Sequence, residues 1–131
     1  MPGLLHVSVL VKDYDEALDF YINKLGFTLV EDRPEPGKRW ITVRPPGAGP
    51  EATTIVLARA STPEQEALIG KQSGGRVWLF LETDDFKATY ERYSGHGIEW
   101  TREPKVESYG TVAVFKDLYG NQWDLIERPK Q

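Results

Sequence analysis

Few side chains in this chain can do chemistry, and their identities narrow the choice at once. There are two histidines, His6 and His96, and no cysteine. Disulfides, thiolate metal sites and a cysteine nucleophile are thereby excluded. His6 falls in an alternating run, Leu4–Val11 (LLHVSVLV), and Asp124 in another, Gln122–Glu127 (QWDLIE). Aspartate is disfavoured in mid-strand, so Asp124 is either on a solvated face or in a site. An imidazole and a carboxylate can form an acid–base pair, or supply two of the donors that a catalytic metal needs. The plain alternatives are a packed His6 and an Asp124 that pairs with an arginine or accepts backbone N–H groups. His96 stands between Gly95 and Gly97 and reads as an exposed residue at a helix end. Trp40, Trp78, Trp100 and Trp123 offer flat surface for a flat ligand, although Trp100 and Trp123 suit a core equally well.

The elements that must position these residues are legible from periodicity. Leu4–Val11 reads as a first strand, with Val7, Val9 and Val11 on one face and His6 on the other. Asp13 or Asp15 caps a helix over Tyr14–Leu25, which has a broad apolar stripe and ends at Gly26. Phe27–Glu31 and Trp40–Arg44 read as strands joined by a Pro/Gly loop, and Thr53–Arg59 as a fourth strand after the loop Pro45–Pro50. Residues 60–75 read as a polar linker with one or two helical turns, capped by Thr62 with Pro63 at the first position. Then the order restarts. Val77–Leu81 is a strand, Asp84 or Asp85 a cap, Phe86–Ser94 a helix and Ile98–Arg102 a strand. The runs Thr111–Lys116 and Gln122–Glu127 form a hairpin around the turn Tyr119-Gly120-Asn121. Tyr109-Gly110 is either a mobile edge or a plain turn.

The restart is an internal repeat. Asp13, Ala17 and Gly26 recur 71 positions later as Asp84, Ala88 and Gly97. Both halves, residues 1–59 and 76–131, read strand, helix, three strands. This order, with the closing hairpin DLYGNQWDLIE, resembles the vicinal oxygen chelate superfamily of glyoxalase I, bleomycin-resistance proteins, fosfomycin-resistance proteins and extradiol dioxygenases. The resemblance covers essentially the whole chain as one domain. It implies an α+β fold of two βαβββ modules, whose curved mixed sheets surround a cleft, and a symmetric homodimer.

In metal-dependent members of that superfamily, ligands come from the first and last strand of each half. The matching positions here are His6, Val56 and Asp124, with a fourth that depends on register. Aligning the buried faces puts Trp78 there; keeping the helix offset puts Val77 there. Neither supplies a ligand atom. The resemblance thus implies His6, Val56, Trp78 and Asp124 as ligand-facing residues, with no cofactor and no tight metal expected. A divalent metal, if bound at all, would rest on His6 and Asp124 alone.

Composition limits the partners. The 131 residues carry sixteen basic and twenty acidic side chains, a net charge of −4, with no basic cluster. That argues against nucleic acid, whose phosphates demand concentrated Lys and Arg. No apolar run approaches a membrane span, the first residues lack a signal-peptide pattern, and a cytoplasmic protein is expected. Three functions compete. The first is a protein that binds a small aromatic or amphipathic molecule in a dimer cleft. The alternative is a metal-dependent lyase or dioxygenase of the glyoxalase type using His6 and Asp124. The third is a scaffold or regulatory partner.

Overall fold

A computed structural model describes residues 2–130. The chain forms two compact units, Met1–Ile69 and Gly70–Gln131, so the boundary lies inside the stretch 60–75. Each unit holds one four-stranded mixed sheet. The first unit contains β1 (His6–Val11), α1 (Tyr14–Leu18), β2 (Thr28–Glu35), β3 (Lys38–Arg44), β4 (Thr54–Arg59) and α2 (Pro63–Leu68). The second contains β5 (Val77–Glu82), α3 (Phe86–Gly95), β6 (Trp100–Glu107), β7 (Gly110–Lys116) and β8 (Gln122–Glu127). The sheet orders are β1-β4-β3-β2 and β5-β8-β7-β6, with β1–β4 and β5–β8 parallel and the other pairs antiparallel. This is the expected pair of βαβββ modules.

Alternation along the strands sets the cores. Val9, Val11, Ile41, Val43 and Leu57 are fully buried in the first unit, beside Ala17, Tyr21 and Leu25 from the helical segment. Leu81, Ala113, Phe115, Trp123 and Leu125 play the same part with Tyr93 in the second. Each such large apolar side chain is worth roughly 2 kcal/mol of burial. Of the candidate caps, Asp13 accepts from Glu16 N at 2.8 Å and Asp85 from Ala88 N at 3.0 Å. Thr62 accepts from Gln65 N at 3.1 Å, with Pro63 opening α2.

Three features depart from the sequence reading. First, the helix from Tyr14 is α-helical only to Leu18 and continues as a π-helical stretch, Asp19–Lys24, with Leu25 N bonded to Phe20 O at 3.1 Å. Such a stretch accommodates an extra residue within the helix. Second, β2 and β3 run on through the expected loop and meet at Pro36-Gly37, where Gly37 takes φ +75°. Third, β6 extends to Glu107, so Ser108 and Tyr109 form a tight reversal and Gly110 opens β7 opposite Glu107. A Cβ on Gly110 would lie 2.5 Å from Glu127 O, which requires glycine there.

Candidate functional site

In the first unit, His6 starts β1 and lies opposite Thr54 of β4. Its Nδ1 is 2.6 Å from Thr54 Oγ1, which fixes the ring. The ring also meets Trp40 edge to face, with centroids 5.4 Å apart. Trp40 is itself held. Its Nε1 donates to Glu31 Oε1 at 2.9 Å, and the Arg33 guanidinium lies 5.8 Å from the indole centroid while pairing with Glu31. The hydrogen bond from Trp40, with the charge of Arg33, keeps the Glu31 carboxyl below the ordinary glutamate range, against a smaller opposing effect of burial. A bulge in β2 between Leu29 and Glu31 brings Glu31 opposite Thr42.

Val56 is buried opposite Ser8 on one side and Thr42 on the other. Thr42 is fully buried, and its Oγ1 has no hydrogen-bond partner among the described residues. Beyond this row a pocket of about 310 Å³ opens between Trp40, Val56, Ala58, Tyr14 and the side chains of Arg39 and Arg59. The pocket therefore joins an apolar floor to a cationic rim.

In the second unit, Asp124 lies on β8 between Phe80 of β5 and Val114 of β7. Its Oδ1 is buried without a hydrogen-bond partner among the described residues. Desolvation raises its carboxyl above the ordinary aspartate value, and the charge of Arg102 only partly offsets this. Phe80 is 70% exposed, so a large apolar ring stands beside the carboxylate.

The sheets also decide the register that the sequence leaves open. Thr54 and Gln122 hold the same place on β4 and β8, so the partner of Gln122, Val77, is equivalent to His6. A bulge follows between Val77 and Leu79. Trp78 is the extra residue, and Leu79 is equivalent to Val7. The indole of Trp78 meets Trp123 edge-on at 5.9 Å. Trp123 points to the face opposite Asp124 and stacks on Phe115. Trp100 lies against Tyr90 and Phe115. Three of the four tryptophans thus belong to one aromatic cluster, and Trp40 stands apart from it in the pocket of the first unit.

The four equivalent positions are His6, Val56, Val77 and Asp124, which offer one imidazole and one carboxylate. Among the described residues no three His, Asp or Glu side chains come together to hold a metal ion. This donor set does not fit a catalytic zinc or iron centre, which takes three protein ligands. His96 ends α3 with its backbone N–H bonded to Arg92 O and Tyr93 O, and its side chain is exposed. No helix among the described residues is long and apolar enough to cross a membrane. Sequence reasoning missed Glu31, Thr54, Tyr14 and Arg59. Glu31 reads as a solvated strand charge until the bulge turns it toward Trp40.

The sequence profile of the glyoxalase/bleomycin resistance protein/dioxygenase superfamily matches residues 3–125. An uncharacterized protein of Shewanella frigidimarina (strain NCIMB 400) is 54% identical over 95% of this chain and 93% of its own. The crystal structure of TnmS3, an antibiotic binding protein from Streptomyces sp. CB03234, superposes with a TM-score of 0.80 at 32% identity, covering 98% of each chain. A lactoylglutathione lyase of Neisseria meningitidis (serogroup A / serotype 4A, strain DSM 15465 / Z2491) is 28% identical over 95% of this chain and 90% of its own.

Proposed function

Because the chain belongs to the glyoxalase/bleomycin resistance protein/dioxygenase superfamily, we propose that it binds and sequesters a small aromatic or amphipathic molecule without chemical change and without a metal cofactor. The observation that carries this reading is Trp40, an indole fixed by Glu31 beside the apolar floor of Val56 and Ala58. A flat ligand stacks on such a surface at little entropic cost, because the ring is already held. In the first unit, His6 stands against Trp40, and Val56 lines the same pocket, so both border the ligand there. Trp78, drawn against Trp123, is left out of this set. The likeness to an antibiotic binding protein supports the same reading. We place the ligand in the cleft of a symmetric homodimer, which sedimentation at micromolar concentration tests; a strictly monomeric protein there rejects the assembly.

A metal-dependent lyase is the second reading, favoured by the likeness to lactoylglutathione lyases. It needs donors that Val56 and Val77 do not supply. Equilibrium dialysis against a panel of aromatic antibiotics separates the two readings. Binding at micromolar concentration, with the ligand recovered unaltered, is expected. Turnover of a ligand, or no binding across the panel, contradicts the proposal.

A further inference from the structure

The pocket of the first unit has a charge pattern that the binding reading alone does not explain. Lys38, Arg39 and Arg59 line it, and no carboxylate does, in a chain of net charge −4. The three cations are not equivalent. Arg39 is neutralised by two carboxylates, with Nη1 2.9 Å from Asp15 Oδ1 and Nη2 2.8 Å from Asp32 Oδ2. Lys38 has Glu35 at 3.7 Å. The Arg59 side chain makes no ion pair or hydrogen bond among the described residues, its backbone being in the ladder with β1. Its guanidinium lies 5.0 Å from the ring centroid of Tyr14, and Arg39 lies 5.4 Å from the same ring. Tyr14 is buried at the start of α1, and this ring contact gives the Arg59 head a defined place at the mouth. Its N–H donors are left for something else.

We propose that the pocket selects an aromatic acid: the ring lies against Trp40, Val56 and Ala58, and the carboxylate pairs with Arg59. The proposal rests on the binding reading above and adds the charge of the ligand. A guanidinium fork matches a carboxylate in two parallel hydrogen bonds, and the neighbouring Lys38 adds to the same field. A neutral analogue keeps the stacking and loses the charge-assisted bonds. A cationic analogue meets repulsion at the mouth.

Calorimetric titration with naphthalene-2-carboxylate, naphthalene-2-carboxamide and 2-(aminomethyl)naphthalene tests this, on the full chain and on Arg59→Met. The methionine keeps an apolar stem over Tyr14 and changes a solvent-exposed position, so folding is retained. The acid is expected to bind roughly tenfold more tightly than the amide, with the amine weakest, and its affinity falls as salt rises. In Arg59→Met the acid drops to the level of the amide, while the amide itself is unchanged. Binding of all three with no preference, or an acid preference that survives in Arg59→Met, overturns the charge selection and leaves the binding reading standing. No binding of any probe at millimolar concentration overturns both.

Discussion

Trp40 Nε1 and Glu31 Oε1 are 2.9 Å apart, joining the edge strand β2 to the indole that forms the wall of the pocket. The bond matters for orientation more than for stability, since exposed pairs such as Arg33–Glu31 are worth little to the fold. Glu31→Ala is therefore expected to weaken binding of an aromatic ligand roughly threefold to tenfold through a loosened ring. Its melting temperature should move by only a degree or two. Glu31→Gln keeps an oxygen acceptor and retains most of the affinity. Equal affinity in Glu31→Ala and the unaltered chain removes Trp40 orientation from the account.

That same bond carries a pH dependence. The Glu31 carboxyl is held below its ordinary value, first by Trp40 and then by Arg33. Its contribution is present above the ordinary glutamate range and is lost as pH falls through the depressed value. Ligand affinity should thus hold through pH 4.5, the ordinary value of the group, and decline only below it. The Glu31→Ala chain should lack that decline.

Asp124 has the opposite sign. Desolvation raises its folded value, so its charged form opposes folding, and the relative stability it gives is full below the ordinary value near 3.8 and lost as pH rises through the raised one. Asp124→Asn removes the buried charge. The substitution should raise the melting temperature at pH 7 relative to the unaltered chain, with a smaller gain at pH 4. A lower melting temperature at pH 7 would mean that the carboxylate has a partner the account omits.

Asp117 is the buried carboxylate that is fully used. Oδ1 accepts from the backbone N–H groups of Tyr119, Gly120 and Asn121 at 3.0–3.1 Å, and Oδ2 from Asn121 Nδ2 at 3.0 Å and Trp123 Nε1 at 3.4 Å. It therefore holds the turn that places β8 and Asp124. Asp117→Ala leaves several donors unpaired and should cost about 3 kcal/mol, or roughly 10 °C in melting temperature. Thermal unfolding followed by circular dichroism measures it directly; a loss under a degree or two contradicts the role.

How far the sequence reaches is clearest at the caps and glycines. Gly26 and Gly97 end their helical segments and lie 71 apart, whereas the observed caps, Asp13 and Asp85, lie 72 apart. The two insertions responsible are invisible to periodicity. The bulge at Trp78 adds one residue to β5, and the π-helical stretch accommodates one more in the first helical segment, so the second insertion cancels the first. The apolar pattern reads correctly on either side of each, which is why Val77 and Trp78 both fitted. The long β2 and β6 were hidden for another reason. Pro34 and Pro104, set among charges, read as loop, but both strands are sheet edges where a missing N–H costs no ladder bond. Arg59 reads only as a charge at a strand end. Its role depends on Tyr14, 45 residues earlier, being brought beneath it.

The most direct test of the central claim, a ligand-binding protein with an incomplete donor set, is calorimetric titration with zinc, nickel, manganese and iron(II) at neutral pH, repeated on His6→Ala. Only His6 and Asp124 can donate among the four equivalent positions, so affinities weaker than about micromolar are expected, with little change in His6→Ala. A site tighter than about micromolar that disappears in His6→Ala would contradict the account and restore the metal-dependent lyase.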